Sequence, residues 1–280
     1  MMNKRVLMRA TTILLATGIL FTGFVYLFFP TKPVDDAIGR LLEPQGLKIA
    51  PAVHKSILPG LAWDDLLLSS PQGGLVHCDR LTVRPLLLRL LTGQATISTA
   101  ADIGVGHLNF DYSLNGKDAL ELSSDGINLS EIPFFKNVLG AKAAGLIWCQ
   151  GKLLRDKGGL SGDLKLEVRQ LEFSGVKLGA FPLPDAGGLK TQGMIRVVNS
   201  RARLESFTLE GDGIYMRLSG DIPTGANAGV LPLNMILEIM PKPEFLEKQK
   251  LVFMLLAKFM ASPGVYKVPI RGTLLKPEIL

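Results

Sequence analysis

Residues able to do chemistry are few and scattered. Histidine occurs at His54, His77 and His107, and cysteine at Cys78 and Cys149. The densest group is His77-Cys78-Asp79, three metal-ligand types in tandem. Neighbours on a strand alternate faces, so these three cannot converge on one ion and read as surface or edge residues. Asp35-Asp36 and Asp64-Asp65 are adjacent carboxylates. Acid–base work needs an enclosed site with shifted pKa values, and adjacent acids on a loop or strand are ordinarily solvated. No nucleophile elbow, phosphate loop, dinucleotide fingerprint or zinc spacing occurs in the chain. The sequence therefore predicts no catalytic, cofactor-binding or metal-binding residue, no cofactor and no enzyme. Cys78 and Cys149 could form one disulfide in an oxidising compartment or stay as two buried thiols.

Charge excludes another class. The formal net charge is +6 over 280 residues, but Lys4, Arg5 and Arg9 alone supply half of it. The remaining basic residues form no run and interleave with few aromatics, so nucleic-acid binding is not expected. Glycine and proline punctuate apolar runs, the spacing of short strands joined by turns.

The element that must place everything else is Ala10 to Phe29, ATTILLATGILFTGFVYLFF, which carries no charge. A helix of about 20 apolar residues matches a bilayer core of roughly 30 Å. Lys4, Arg5 and Arg9 before it favour a cytoplasmic N-terminus, and Tyr26 suits the far interface. Leu27 to Lys32 makes a poor signal-peptidase site, which argues against a cleaved leader. The expected organisation is a cytoplasmic tail (1–9), a single transmembrane anchor (10–29) and a β-rich domain (30–280) delivered across the membrane.

Beyond the anchor, Val34 to Leu42 reads as a short helix with Asp35 and Asp36 in its first turn. Leu47–Val53, Leu61–Ser69 and Leu75–Val83 read as strands. Arg84 to Leu91 reads as a short helix, with Pro85 at its start and Gly93 past its end. Gln94 to Thr99 is β-prone. From Gly104 to Leu114, Leu108, Phe110, Tyr112 and Leu114 alternate with polar residues, and Asn115-Gly116 predicts a type I′ hairpin turn into Ala119–Ser123. Asn128 to Phe135 predicts a loop and a helical turn. Ala144–Leu154 and Gly159–Phe173 are strands, the second changing phase after Val168 as a bulge would. Phe181 to Gly188 reads as a connector. Gly193–Val198, Ala202–Leu209 and Ile214–Leu218 form a meander. Leu231 to Ile239 is a strand with one apolar face, Glu244 to Met260 is the one long helix after the anchor, and Tyr266–Leu274 is the last strand.

The expected fold is mainly β: a transmembrane helix followed by a curved antiparallel sheet, half-barrel or groove-like, with a few short helices; a sandwich also fits. Leu164, Leu166, Val168, Leu204, Leu231, Leu233, Met235 and Leu237 mark the apolar face. One sheet cannot bury such a face against itself, so a second layer is needed. The reading is that the Glu244–Met260 helix lids one end and leaves an apolar trough elsewhere.

Several stretches carry a resemblance. They are LTVRPLLLRLLTGQATIS (Leu81–Ser98) with the glycines Gly104 and Gly106, NLSEIPFF (Asn128–Phe135), GDIPTGANAGVLPLNMILEIMPKPEF (Gly220–Phe245) and VPIRGTLLKPEIL (Val268–Leu280). Together they resemble the type II secretion system protein N family (GspN-type), over nearly the whole chain. The early part is also similar to AsmA-type lipid-transfer proteins. The resemblance implies an inner-membrane component with a periplasmic β domain, an accessory role in protein secretion, other secretion subunits as partners, and no catalytic residues. The second similarity implies a greasy groove for phospholipid.

Overall fold

The structure, a computed structural model, describes residues 31–56, 59–225 and 227–279, with positions 16–18, 20 and 23. The expected anchor therefore lies mostly outside the described residues. Among the described residues no helix is long and apolar enough to cross a membrane.

Helix α1 (Lys32–Leu42) and a 3-10 turn (Glu43–Gln45) lead to two short strands, β1 (Lys48–Ala50) and β2 (His54–Lys55). Both pair with β3 (Leu61–Ser70). From there the chain runs back and forth through β4 (Gly73–Pro85), β5 (Thr96–Ile103), β6 (Gly106–Ser113), β7 (Asp118–Asn128), β8 (Lys142–Asp156) and β9 (Gly159–Ser174). A small ribbon of β10 (Lys177–Leu178) and β11 (Phe181–Pro182) intervenes. The meander resumes with β12 (Ala186–Val198), β13 (Arg201–Gly211), β14 (Ile214–Ile222) and β15 (Asn234–Pro241). It ends with β16 (Met260–Ser262), β17 (Val265–Gly272) and β18 (Pro277–Ile279). All but the ribbon belong to one open sheet of 16 strands, so the sandwich alternative falls away.

The sheet curls. The Gly229 amide, after β14, donates to Gln45 Oε1 beside β1 at 3.1 Å, joining chain regions 184 residues apart. The apolar side is the inner one. Its curvature needs small residues: a Cβ at Gly151 would strike Leu164, and one at Gly193 would come within 2.6 Å of Phe207. The outer face carries cross-strand ion pairs such as Arg80–Asp64, Arg196–Asp163 and Arg203–Asp221, exposed pairs worth about 0–1 kcal/mol each.

Antiparallel pairing alternates the connections between two rims. One carries the turns after β3, β5, β7, β9 and β13 and the helices after β15; the other carries those after β4, β6, β8, β12 and β14.

Three local expectations are corrected. The helix after β4 is only Leu87–Leu91, called α2, because Arg84 and Pro85 pair with Ser98 and Ile97 as the end of β4. Asn115 is not in the left-handed region that a type I′ turn requires; Gly116 is, at φ 100°. The Asn115 amide instead clamps the neighbouring connection, accepting from Ala95 N at 2.8 Å and donating to Gly93 O at 2.8 Å. Leu114 leaves the strand and is exposed. The Glu244–Met260 helix is broken into α4 (Pro243–Lys248), α5 (Lys250–Leu255) and a 3-10 turn (Ala257–Phe259), numbered after α3 (Pro133–Asn137). The break falls at Gln249 (φ −119°, ψ 34°), whose amide pairs with both the N–H and the C=O of Asp185.

Candidate functional site: an apolar trough

Strand register aligns the inner-face residues in rows across the sheet. One row runs Trp63, Leu81, Ala101, Leu108, Ser124, Cys149, Leu166, Gly193, Phe207, Leu218, Leu237 and Val268. It crosses every strand of the meander from β3 to β17, and at 4.7–4.9 Å per strand measures about 53 Å along the curve. A second row starts at Leu61 and includes Phe110, Leu122, Leu164, Leu204 and Met235. Apart from Ser124 and Thr99, both rows are apolar or glycine.

The rows are not equally covered. At the β12–β17 end, α4 and α5 lie over the sheet, and Phe253 and Leu256 are buried with Ile239, Tyr266 and Val268. At the β3–β5 end a smaller cluster gathers Val53, Trp63, Leu66, Cys78 and Ile103, with Ile38 of α1 against it. Leu129 to Asn137 bridges the two: Leu129 is buried in the larger cluster, Ile132 touches both, and Asn137 Nδ2 donates to Gly74 O at 2.7 Å. That segment and the helices cap the first rim. Beside it opens a cavity of about 910 Å³ lined by Leu129, Ile132, Phe135, Ala143, Phe173 and Ala186.

Between the two clusters, towards the second rim, Phe110, Tyr112, Leu120, Leu122, Leu164 and Leu166 are only half-buried and belong to neither. This strip is the open trough. Phe110 and Tyr112 lie parallel, centroids 6.5 Å apart. The Arg155 guanidinium sits 5.6 Å from the Tyr112 ring centroid, donates to Tyr112 Oη at 3.1 Å, and donates to the carbonyls of Ser113 and Leu114. A cation is thus fixed at the open mouth. Two polar atoms on the inner face, Trp63 Nε1 and Ser124 Oγ, are buried with no hydrogen-bond partner among the described residues.

Of the sequence-predicted trough residues, Leu164, Leu166, Val168, Leu204, Leu233, Met235 and Leu237 share the inner face. Val168, Leu204, Leu233, Met235 and Leu237 are buried in the covered cluster; only Leu164 and Leu166 line the open strip. Leu231 is not on the face. It lies in the turn before β15, 39% exposed, because the chain alternates only from Leu233 onward. The open strip itself went unread at Phe110, Leu120 and Leu122, whose half-burial depends on where the covering segments stop.

The chemistry-bearing residues disperse. His77 Nε2 meets Asp65 Oδ1 at 2.6 Å on the outer face, while Asp79 accepts from Gly104 N. Asp64 faces Arg80 and His54. Cys78 and Cys149 are free thiols four strands apart in the sheet, about 19 Å, beyond disulfide reach. Burial pushes both thiol pKa values up from 9.0, and Asp79 and Asp102 add to the effect at Cys78.

No family model, no curated protein and no solved structure matches this chain.

Proposed function

We propose that the chain is a membrane-anchored protein whose β domain holds the acyl chains of a phospholipid or similar amphiphile in its trough. The observation that carries this is the half-buried strip from Phe110 to Leu166, an apolar surface left uncovered between two well-packed clusters. Apolar surface left in water forgoes about 25 cal/mol per Å². A contiguous uncovered apolar surface marks an interaction site. Arg155 at the mouth suits an anionic headgroup, and the unpartnered Ser124 hydroxyl suits an ester oxygen. No catalytic step is assigned to it. The proposed setting is the inner membrane, with the N-terminus cytoplasmic and residues from 30 onward periplasmic.

The resemblance carried by the 81–98 and 268–280 stretches supports an accessory role in type II secretion, with other secretion subunits as partners. The two readings are compatible on one fold, and a fold alone assigns neither. Native mass spectrometry of the full chain, released from mild detergent, tests the lipid reading. Wild type is expected to carry phospholipid, and Leu122→Glu to lose it while remaining folded. A ligand-free wild type would overturn the lipid reading and leave the secretion role on its own.

A further inference from the structure

The second rim is unusually apolar. Helix α2 exposes four leucines: Leu87 at 46%, Leu88 at 82%, Leu90 at 54% and Leu91 at 84%. Leu114, Leu154 and Val198, at successive strand ends of the same rim, are 57%, 48% and 52% exposed. Arg84, Lys117, Lys157 and Arg201 are exposed among them. Of the nearby acids, Asp118 meets Lys152 at 3.1 Å, Asp111 meets Arg89 of α2 at 3.9 Å, and Asp156 accepts from the Gly158 amide.

Helix α1 shows at which rim the described chain begins. Asp35 Oδ1 accepts from Val53 N at 3.0 Å, next to His54, which pairs with Ala62 near the second-rim end of β3. Past the helix, a Cβ on Gly46 would stand 3.5 Å from Pro71, in the turn of the first rim. Helix α1 therefore runs from the second rim to the first, and Lys32 stands at the second. Three chain steps separate Lys32 from Phe29, a reach of about 10 Å at most.

We infer that the second rim rests on the bilayer, with α2 sunk into the headgroup–acyl boundary. The inference rests on Ala10–Phe29 entering that bilayer. A short amphipathic element with leucines on one side and basic residues beside it gains from apolar burial and from anionic lipid. The trough then opens directly onto the lipid it is proposed to take. A competing apolar patch, Leu251 with Met254 and Leu255, lies on the first rim and faces away.

The test uses the full chain in vesicles of phosphatidylcholine and phosphatidylglycerol containing brominated acyl chains, which quench tryptophan on contact. Wild type, with Trp63 and Trp148, sets the baseline. Leu88→Trp and Leu91→Trp are expected to show at least twofold more quenching above baseline than Leu251→Trp. Two positions are used so that one misfolded variant does not decide the result. Equal quenching at Leu88 and Leu251 would overturn the inference, as would no added quenching at either α2 position, the result expected if a protein partner covers that helix. Failure of wild type to float with the vesicles would overturn the anchor reading itself.

Discussion

The two halves of the second inner row are built from the same kinds of residue and do different things. Met235 and Leu204, towards the C-terminal end, are 8% and 5% exposed and sit in a closed core. Leu122 and Leu164, a few strands away, are half-buried and belong to neither packed cluster. Neither composition nor strand geometry separates them. What differs is the packing: the first pair belongs to the larger buried cluster, which Phe253 and Leu256 of the C-terminal helices join, and the second pair belongs to neither cluster. A sheet face becomes core or binding surface according to where its cover ends.

That contrast can be broken in order of effect. The largest loss is expected from Met235→Glu, which puts an unpaired carboxylate into a closed core; the cost is several kcal/mol, enough to unfold the domain, and circular dichroism at 25 °C should show it. Leu256→Ala removes a fully buried side chain and should cost about 2–5 kcal/mol, read as a lower midpoint in urea. Leu122→Glu, in the open strip, should cost about 1 kcal/mol or less while abolishing lipid retention. If it destabilised as much as Met235→Glu, the strip would be core. Gly116→Val places a β-branched residue at φ 100°, with nothing within 4 Å of its Cβ; the strain should cost about 1 kcal/mol.

The thiols give a pH handle. Both have raised pKa values when folded, so the unfolded chain loses these protons first. Their contribution is intact below the ordinary thiol range near 9.0 and is lost as pH rises through the folded values. Stability should therefore fall with rising alkaline pH, and a Cys78→Ala, Cys149→Ala variant should fall less steeply.

Much of the fold was readable. Period-two alternation marked Leu164, Leu166 and Val168, and the change of phase before Leu171 is a real irregularity, with Gln170 at φ 52°. Between the predicted strands Gly193–Val198 and Ala202–Leu209, Asn199 and Ser200 both adopt positive φ, as a tight connection needs. The rows were not readable, because register accumulates over every turn length and over bulges such as those at Met194–Ile195 and Leu204–Phe207. The break at Gln249 escaped notice because its cause, a pairing with Asp185, spans 64 residues. Leu231 misled because apolar alternation continues through a segment that is turn. The exposure of α2 could not be inferred either, since an apolar short helix ordinarily packs inward.

The most direct test of the trough places a photo-crosslinking amino acid at Leu122 and, for comparison, at Leu237, in the full chain within living membranes. The account predicts a phospholipid adduct at position 122 and at position 237 only crosslinks within the chain. Crosslinks at 122 that all lead to other parts of the same chain would contradict it, and the strip would then be ordinary core.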